Sequence, residues 1–315
     1  MIETAILFVI GAALLVVGAD TLVSGASAVA ARYGISPMVI GLTIVAYGTS
    51  LPEFVVSAKA ALDGSGGVAM GNVLGSNICN IALVLGLVAI FKPVPVNVGL
   101  IKRELPFLAV VSLTLVEIAY NGEIGRGEGA LLLGLGIIYT MALLIYSKRD
   151  IDVYETEVPG HPQPEARGRN AVKIAVGCVC LFAGGHWFVE SAIDIARIIG
   201  VSEAVIGLSL VAIGTSLPEL VTAVVAVLRG EHDIGVGNLV GSNIFNMTAV
   251  LGGASLIAPI PFDRHANSLT MIVALLLPMV LLLPMLDRRR CVGRFTGLGL
   301  LLSYLLFVGI LIVSS

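Results

Sequence analysis

GLTIVAYGTSLPE, residues 41–53, ends in a carboxylate that stands inside an apolar stretch. The chain repeats it almost unchanged as GLSLVAIGTSLPE at residues 207–219, which begins 166 residues later (207 − 41). Each copy is followed at the same distance by a second polar segment, GNVLGSNICN at residues 71–80 and GNLVGSNIFN at residues 237–246. A repeat this long in an apolar chain indicates two related halves, an arrangement typical of transporters with a binding site between the halves.

The composition indicates an integral membrane protein. Of the 315 residues, 57% are hydrophobic and 12% are charged, and the mean hydropathy is +1.02, which excludes an ordinary soluble domain. The net charge of −3 gives no reason to expect a nucleic-acid partner. The four cysteines have neither metal-ligand nor redox spacing, so we interpret them as packing residues and expect no cofactor.

The apolar runs predict an all-α fold of ten transmembrane helices, each long enough to cross a hydrocarbon core of about 30 Å. The predicted spans are 4–31, 38–61, 67–91, 104–121, 129–147, 172–199, 204–228, 234–259, 268–286 and 295–313. Residues 1–147 then form a first five-helix repeat and residues 172–315 a second. Residues 148–171 are polar and proline-rich, and we interpret them as a linker between the repeats.

An odd number of spans per repeat predicts that the two repeats have opposite orientations in the bilayer, as inverted repeats. In the ten-span topology, fourteen of the eighteen Lys and Arg residues fall on the side of the linker and four on the other side. The positive-inside rule therefore predicts a multi-pass cell-membrane protein with a cytoplasmic linker and extracellular termini.

The repeated polar residues are predicted to meet near the middle of the membrane. At about 1.5 Å per residue, Glu53 lies about 22 Å from the start of helix 2, and Asn80 lies about 20 Å from the opposite start of helix 3. Inversion brings Glu219 and Asn246 to the same depth. A charge at the bilayer centre costs at least about 2.5 to 3.5 kcal/mol, so these carboxylates are interpreted as functional.

Prolines predict broken helices 2 and 7. Pro52 and Pro218 each remove a backbone N–H and clash with the carbonyl four residues earlier, which loosens the preceding turn. Carbonyl oxygens of that turn, the hydroxyls of Ser50 and Ser216, and the carboxylates together offer the all-oxygen surroundings that Ca²⁺ and Na⁺ prefer. Broken backbone at this depth is tolerated where it lines a cavity or is buried in protein.

Helices 3 and 8 are predicted to supply further oxygens. Ser76 and Asn80 are four residues apart and share a helix face, as do Ser242 and Asn246. The same helices carry glycine pairs that predict close approach to the broken helices. These glycines are Gly71, Gly75, Gly237 and Gly241.

Two further observations limit this interpretation. A single intramembrane Pro-Glu step could be a kink with a structural acid, and it is the second copy with its own Ser/Asn helix that favours a site. Asp20 and His186 are equivalent in the repeat yet differ in chemistry, so we expect structural or gating positions for them in helices 1 and 6.

The motif GTSLPE followed by GNxxGSNxxN, present twice, resembles the two alpha repeats of the cation/Ca²⁺ exchanger superfamily, most closely the prokaryotic sodium/calcium exchangers. The resemblance covers nearly the whole chain. Proton/calcium exchangers instead have a Gly-Asn-x-x-Glu pattern at this place. The position of Asn246 is an aspartate in some archaeal and potassium-dependent relatives, so the departure here argues against dependence on K⁺.

The resemblance implies a set of ion ligands. A central Ca²⁺ site would use the carboxylates of Glu53 and Glu219 with the carbonyls of Thr49 and Thr215. It also implies neighbouring Na⁺ sites and two amides that complete the centre, and helices 1 and 6 that slide against the other eight. The implied Na⁺ ligands are Ala46, Ser50, Ser76, Ala212, Ser216 and Ser242, and the amides are Asn80 and Asn246.

These observations predict a secondary antiporter, not an enzyme, that exchanges Na⁺ for Ca²⁺ in an electrogenic, K⁺-independent cycle. An H⁺-coupled or other divalent-cation antiporter on the same scaffold is the alternative. An ion channel would require a continuous pore, and an intramembrane protease would require a catalytic aspartate pair. The bilayer and the two transported ions are the expected partners, and the oligomeric state is left open.

Overall fold

The computed structural model describes residues 2–147, 167–200, 212–286 and 290–314, and these are almost entirely helical. Most of the predicted linker, residues 148–166, lies outside the described residues. Residues 201–211 also lie outside them, and they include the first part of predicted helix 7, which spans 204–228. The helix after the linker begins at Arg167, earlier than the predicted boundary at 172.

Helical segments occur at every predicted span that the described residues cover. The segments are α1 (Ile2–Tyr33), α2 (Pro37–Thr49), α3 (Leu51–Leu62), α4 (Gly66–Phe91), α5 (Leu105–Ala119, after a π-helical turn Leu100–Glu104), α6 (Arg126–Ser147), α7 (Arg167–Ile198), α8 (Ala212–Gly214), α9 (Leu217–Leu228), α10 (His232–Ile257), α11 (Arg264–Leu276, continued by a 3₁₀ segment Leu277–Leu286) and α12 (Arg294–Ser314).

Within the described residues, six helices are long and apolar enough to cross a membrane, and the bent pair α2 and α3 makes a seventh. Three of the ten predicted spans do not meet this test. Span 104–121 is α5, whose regular part has 15 residues. Span 204–228 is only partly described, and span 268–286 changes to 3₁₀ helix where prolines remove hydrogen bonds of the α-helix.

Helices α4 and α10 form the centre of the molecule. The most apolar windows of these two helices are 78% and 72% buried, whereas those of the other four candidate spans are 22% to 33% buried. Large apolar side chains cover the outside of the peripheral helices, for example Val17 of α1 and Ile138 of α6. Such an apolar exterior around a packed interior suits a protein surrounded by lipid.

Helices α1 and α7 pack against each other along their length through facing glycines. A Cβ atom on Gly18 would lie 2.9 Å from the Cβ of Cys180, and one on Gly177 would lie 2.7 Å from the backbone nitrogen of Leu22. Only glycine permits this approach, as in other small-residue helix interfaces of membrane proteins. The buried residues of α1 belong to a hydrophobic cluster separate from the main core, and this cluster also includes residues of α2, α9 and α10.

Two short antiparallel ladders join the halves of the chain. Val94–Pro95 (β1) pairs with Cys291–Val292 (β4), and Glu123–Ile124 (β2) pairs with Ile260–Pro261 (β3). Each ladder takes one strand from residues 1–147 and one from residues 172–315. The two halves therefore contact each other through these two ladders as well as through α4 and α10.

The predicted close approach of the eighth predicted span to the broken second span is confirmed, and in the structure these elements are α10 and α2. A Cβ atom on Gly241 would lie 2.6 Å from the carbonyl oxygen of Leu42, and one on Gly237 would lie 2.8 Å from that of Met38. The equivalent approach of Gly71 and Gly75 concerns residues 201–211, which lie outside the described residues.

Candidate cation site

The helix is broken just before the proline in each copy of the motif, and the acid follows that proline directly. Helix α2 ends at Thr49, Ser50 forms a turn, and α3 begins at Leu51 with a bend of 47° between the two axes. In the second copy, Thr215 and Ser216 form the turn between α8 and α9. The predicted break in helix 2 is thus observed, and so is the described part of the break in helix 7.

The two carboxylates lie in the first turns of α3 and α9 and are fully buried. Glu219 Oε1 accepts a hydrogen bond of 2.8 Å from Ser50 Oγ and one of 3.3 Å from Ser242 Oγ. Glu219 Oε2 and both carboxylate oxygens of Glu53 accept none from the described residues. The first turn of a helix is also its electropositive end, which favours a carboxylate there.

The two amides lie where α4 and α10 change to π-helix. The π-helical turns are Cys79–Leu85 and Asn246–Val250, and such turns occur mostly at functional sites. Asn80 and Asn246 are fully buried, and the Oδ1 atom of each lacks a hydrogen-bond donor among the described residues. The amide oxygens therefore stay available to a ligand.

Hydroxyls and carbonyls of both copies surround the acids. Thr49 Oγ1 donates to Asn238 Oδ1 at 2.9 Å, and Thr215 Oγ1 donates to Asn72 Oδ1 at 3.3 Å. Ser76 Oγ lies 3.3 Å from Thr215 Oγ1.

The remaining predicted residues also lie at the breaks. The carbonyl oxygen of Ala46 lies 3.4 Å from Ser242 Oγ. The hydroxyl of Ser216 is buried without a partner in the described part of the chain. Ala212 is the first residue described before the second break, and its side chain lies outside the description.

Sequence reasoning missed four asparagines that support these groups. Asn72 Nδ2 donates to the carbonyl of Glu53 at 3.1 Å and to Ser57 Oγ at 2.9 Å, and Asn238 holds Thr49 as described above. Asn77 and Asn243 bond to each other and to the side-chain amides of Asn80 and Asn246. The signal was present, because all four belong to the duplicated GNxxGSN segments in otherwise apolar helices.

Some hydrogen bonds around the site are symmetric between the repeats, and others are not. The Thr49–Asn238 and Thr215–Asn72 bonds are related by the offset of 166 residues (215 − 49). The Ser50–Glu219 bond has no counterpart, because neither the Ser216 hydroxyl nor the Glu53 carboxylate has a partner among the described residues.

The donor set fits a hard cation. Six buried atoms without hydrogen-bond partners come from the predicted site residues, and every one is an oxygen. These atoms are Glu53 Oε1, Glu53 Oε2, Asn80 Oδ1, Ser216 Oγ, Glu219 Oε2 and Asn246 Oδ1. A buried polar group without a partner costs about 1–3 kcal/mol, and Ca²⁺ binds six to eight such oxygens. The described residues contain no group of three or more His, Cys, Asp or Glu arranged to hold a metal, so amides and hydroxyls would complete the shell.

Apolar helices around a buried, acidic, oxygen-lined site assembled from two repeats define a multi-pass membrane protein of the cation-transporter class. The sequence model of the family described as sodium/calcium exchanger protein matches residues 3–145 and 170–313. The chain therefore belongs to the sodium/calcium exchanger family, which confirms the resemblance predicted from the duplicated motif. It is a cation/Ca²⁺ antiporter and not an enzyme.

Relatives match this chain nearly end to end. CaxA of Alkalimonas amylolytica is 38% identical over 97% of this chain and 97% of its own length. The sodium/calcium exchanger MaX1 of Methanosarcina acetivorans is 29% identical over 90% of this chain and 91% of its own. A solved structure of the sodium-calcium exchanger NCX_Mj, soaked with 100 mM Na⁺ and 10 mM Sr²⁺, is similar with a TM-score of 0.83 and 33% identity, covering 98% of both chains.

Proposed function

We propose that this chain exchanges Na⁺ for Ca²⁺ across the cell membrane in an electrogenic cycle that does not require K⁺. The observation that carries the proposal is the presence of two fully buried carboxylates and two buried amide oxygens that accept no hydrogen bond in the described structure. Two formal negative charges balance one Ca²⁺, and a desolvated pair of carboxylates requires such a counter-charge. The names of MaX1 and NCX_Mj give the same two ions for those relatives.

The ion ligands proposed here are the oxygen atoms that the sequence predicted. Glu53 and Glu219 bind Ca²⁺ together with the carbonyls of Thr49 and Thr215. Na⁺ occupies neighbouring positions. Na⁺ and Ca²⁺ use the same carboxylates at different stages of the cycle. The proposed Na⁺ ligands are Ala46, Ser50, Ser76, Ala212, Ser216 and Ser242, and Asn80 and Asn246 complete the centre.

The proposed architecture has ten spans in two inverted repeats, residues 1–147 and 172–315, with residues 148–171 as a cytoplasmic linker and both termini extracellular. The support is the repeat offset, the fourteen-to-four distribution of basic residues, and the two ladders that join the halves. In the described residues, six of the ten spans are long and apolar enough to cross a membrane, or seven if the bent pair counts as one span.

Alternating access is proposed to use the α1–α7 pair as the moving part. This pair packs through glycine backbones and belongs to a hydrophobic cluster separate from the main core. The site residues are carried by α2, α3, α4, α8, α9 and α10, so the moving pair itself carries none of the proposed ligands. Such rocking of one bundle against a fixed midplane site is typical of transporters built from repeats.

The direct test is ion flux in proteoliposomes that contain the purified protein. An outward Na⁺ gradient should drive ⁴⁵Ca²⁺ uptake, and collapsing that gradient with a Na⁺ ionophore should stop it. Glu53→Gln provides the matched control, because it removes one site charge with little change in side-chain size. Uptake that ignores the Na⁺ gradient would contradict Na⁺ coupling.

Coupling to H⁺ is the second candidate, since the names of CaxA and YrbG of Escherichia coli specify no ions. The same vesicles distinguish the two candidates. A pH jump without Na⁺ should leave the Ca²⁺ content unchanged if Na⁺ is the coupling ion, and should drive uptake if H⁺ is.

A further inference from the structure

Four asparagine side chains form a closed network between α4 and α10. Asn77 Nδ2 donates to the backbone carbonyl of Asn243 at 3.2 Å, and Asn243 Nδ2 donates to that of Asn77 at 3.1 Å. Asn80 Nδ2 donates to Asn243 Oδ1 at 3.1 Å, and Asn246 Nδ2 donates to Asn77 Oδ1 at 3.2 Å. None of the four is more than 2% exposed, so the network is shielded from bulk water.

The order of donors and acceptors determines which way each amide faces. A backbone carbonyl can only accept, so the Asn77 nitrogen must face Asn243, and the Asn77 oxygen then faces Asn246. That oxygen also can only accept, so Asn246 must turn its nitrogen toward it. The Asn246 oxygen is left on the other side, where none of the described residues donates to it.

The same reasoning applies to the second half of the network. Asn243 donates to the Asn77 carbonyl and thereby presents its own Oδ1 to Asn80 Nδ2. Asn80 Oδ1 is left without a donor in the described structure. The two halves are related by the repeat offset, since 243 − 77 and 246 − 80 both equal 166.

We propose that Asn77 and Asn243 are positioning residues that lock the amide oxygens of Asn246 and Asn80 toward the transported cation. The inference rests on the proposed function, because it takes Asn80 and Asn246 to be cation ligands. An amide has an electronegative oxygen and an electropositive NH₂ end, and only the oxygen can bind Ca²⁺. Without its partner, a ligand amide is free to turn its NH₂ end toward the cation.

Each ligand amide is held by the half of the molecule to which it does not belong. Asn80 in α4 is oriented by Asn243 in α10, and Asn246 in α10 is oriented by Asn77 in α4. The correct ligand orientation therefore exists only when both halves are assembled. The network also keeps α4 and α10 together as a fixed centre against which the α1–α7 pair can move.

A purely structural role is the competing explanation, since hydrogen bonds between membrane helices stabilise their association. Asn77→Ala separates the two roles when Ca²⁺ flux is measured as a function of Ca²⁺ concentration. The positioning role predicts that the KM for Ca²⁺ rises about tenfold while the maximal rate per folded protein stays within about twofold. KM does not depend on how much of the variant is folded.

Asn121→Ala is the control, because Asn121 is an exposed asparagine in the turn after α5, outside both the site and the moving α1–α7 pair. Its KM should equal that of the unmodified protein. Asn243→Ala is the pseudo-symmetric test, with the same expectation acting through Asn80. If Asn77→Ala does not fold, Asn243→Ala distinguishes the positioning role from the structural role.

A rescue experiment tests the amide orientation itself. A carboxylate has oxygens at both ends, so in the Asn246→Asp background the orientation of this side chain no longer matters. The tenfold KM effect of Asn77→Ala should therefore fall to about twofold or less in that background. A double-mutant cycle isolates this coupling, whereas a structural loss would be the same in both backgrounds.

The outcomes separate the two proposals. Absence of Na⁺-driven Ca²⁺ flux in the unmodified protein overturns the proposed function. Exchange by the unmodified protein, together with an unchanged KM in Asn77→Ala and Asn243→Ala, overturns the positioning role alone. The positioning role is also overturned if Asn77→Ala raises KM by the same factor with and without Asn246→Asp.

Discussion

Ser50 Oγ donates a hydrogen bond of 2.8 Å to Glu219 Oε1, so the hydroxyl of one GTSLPE copy holds the carboxylate of the other. The equivalent groups, Ser216 and Glu53, make no such bond. The duplicated motif thus provides one carboxylate that accepts a hydrogen bond from the motif serine of the other copy and one that does not. The two acids differ in environment although their sequences are nearly identical.

This difference predicts unequal effects of two matched serine substitutions on stability without ions. Ser50→Ala removes a donor from a buried carboxylate and should lower the free energy of unfolding by about 1–3 kcal/mol. Ser216→Ala removes a hydroxyl that has no partner in the described structure, so its melting temperature should stay near that of the unmodified protein. Differential scanning fluorimetry in Na⁺- and Ca²⁺-free buffer measures both. Equal losses in the two variants would contradict the observed asymmetry.

Replacing either acid by glutamine should abolish Ca²⁺ exchange while leaving the protein folded. Glu53→Gln and Glu219→Gln each leave one formal charge to hold a divalent ion. The Coulomb attraction scales with ion charge, so Ca²⁺ binding should weaken more than Na⁺ binding. Calorimetric titration of each ion into purified protein gives the comparison. Near-normal exchange by either variant would remove that acid from the site.

The proposed topology predicts that the linker and the C-terminus lie on opposite sides of the membrane. In a cysteine-free background, Gln163→Cys should react with an impermeant maleimide only from the cytoplasmic side, and Ser315→Cys only from the outside. Intact cells and inverted vesicles provide the two directions. Labelling of both cysteines from one side would contradict the inverted arrangement.

Exchange should respond to membrane potential but not to K⁺ as a substrate. One Ca²⁺ against three Na⁺, the load that the family resemblance implies, moves one net charge per cycle, which is worth about 2.3 kcal/mol per 100 mV. A K⁺ gradient with valinomycin should speed exchange in one direction and slow it in the other. Replacing K⁺ by choline at zero potential serves as the control and should change nothing. Flux indifferent to potential would favour an electroneutral cycle.

An ion pair between α1 and the end of α9 is expected to bias the position of the moving pair. Arg229 Nη2 lies 2.5 Å from Asp20 Oδ1, and Ser27 Oγ of the same helix donates to Glu231 at 2.5 Å. Both ion-pair residues are substantially exposed, so the pair is worth about 0–1 kcal/mol. Asp20→Asn should change the exchange rate by no more than about fivefold, unlike the site acids.

A charge exchange provides the check on this ion pair. The double variant Asp20→Arg with Arg229→Asp should restore the rate better than either single change does. Failure of the double variant to recover would show that the pairing does not matter. The equivalent positions in the other repeat are His186 and Asp63, so the chain does not duplicate this pair with the same charges.

The amino-acid sequence alone predicted the class, the family and the identity of the central groups. An apolar composition, a 166-residue offset and a proline before each acid are local or periodic features, and they are readable without coordinates. The helix break at Ser50 follows from Pro52, which cannot continue the preceding hydrogen-bond pattern. The helix boundaries were less accurate, because the ends of α5, α7 and α11 depend on packing and capping more than on hydropathy.

Only the tertiary structure decided how the two copies differ and what supports them. Ser50 and Glu219 are 169 residues apart, and Asn77 and Asn246 are also 169 residues apart, so neither contact follows from local sequence. Two copies of one motif look equivalent in sequence, yet a hydrogen bond requires a donor and an acceptor within about 3 Å. Packing of α2, α4, α9 and α10 sets those distances. The sequence therefore determined which oxygen atoms are present, and the fold determined which of them remain free to bind a cation.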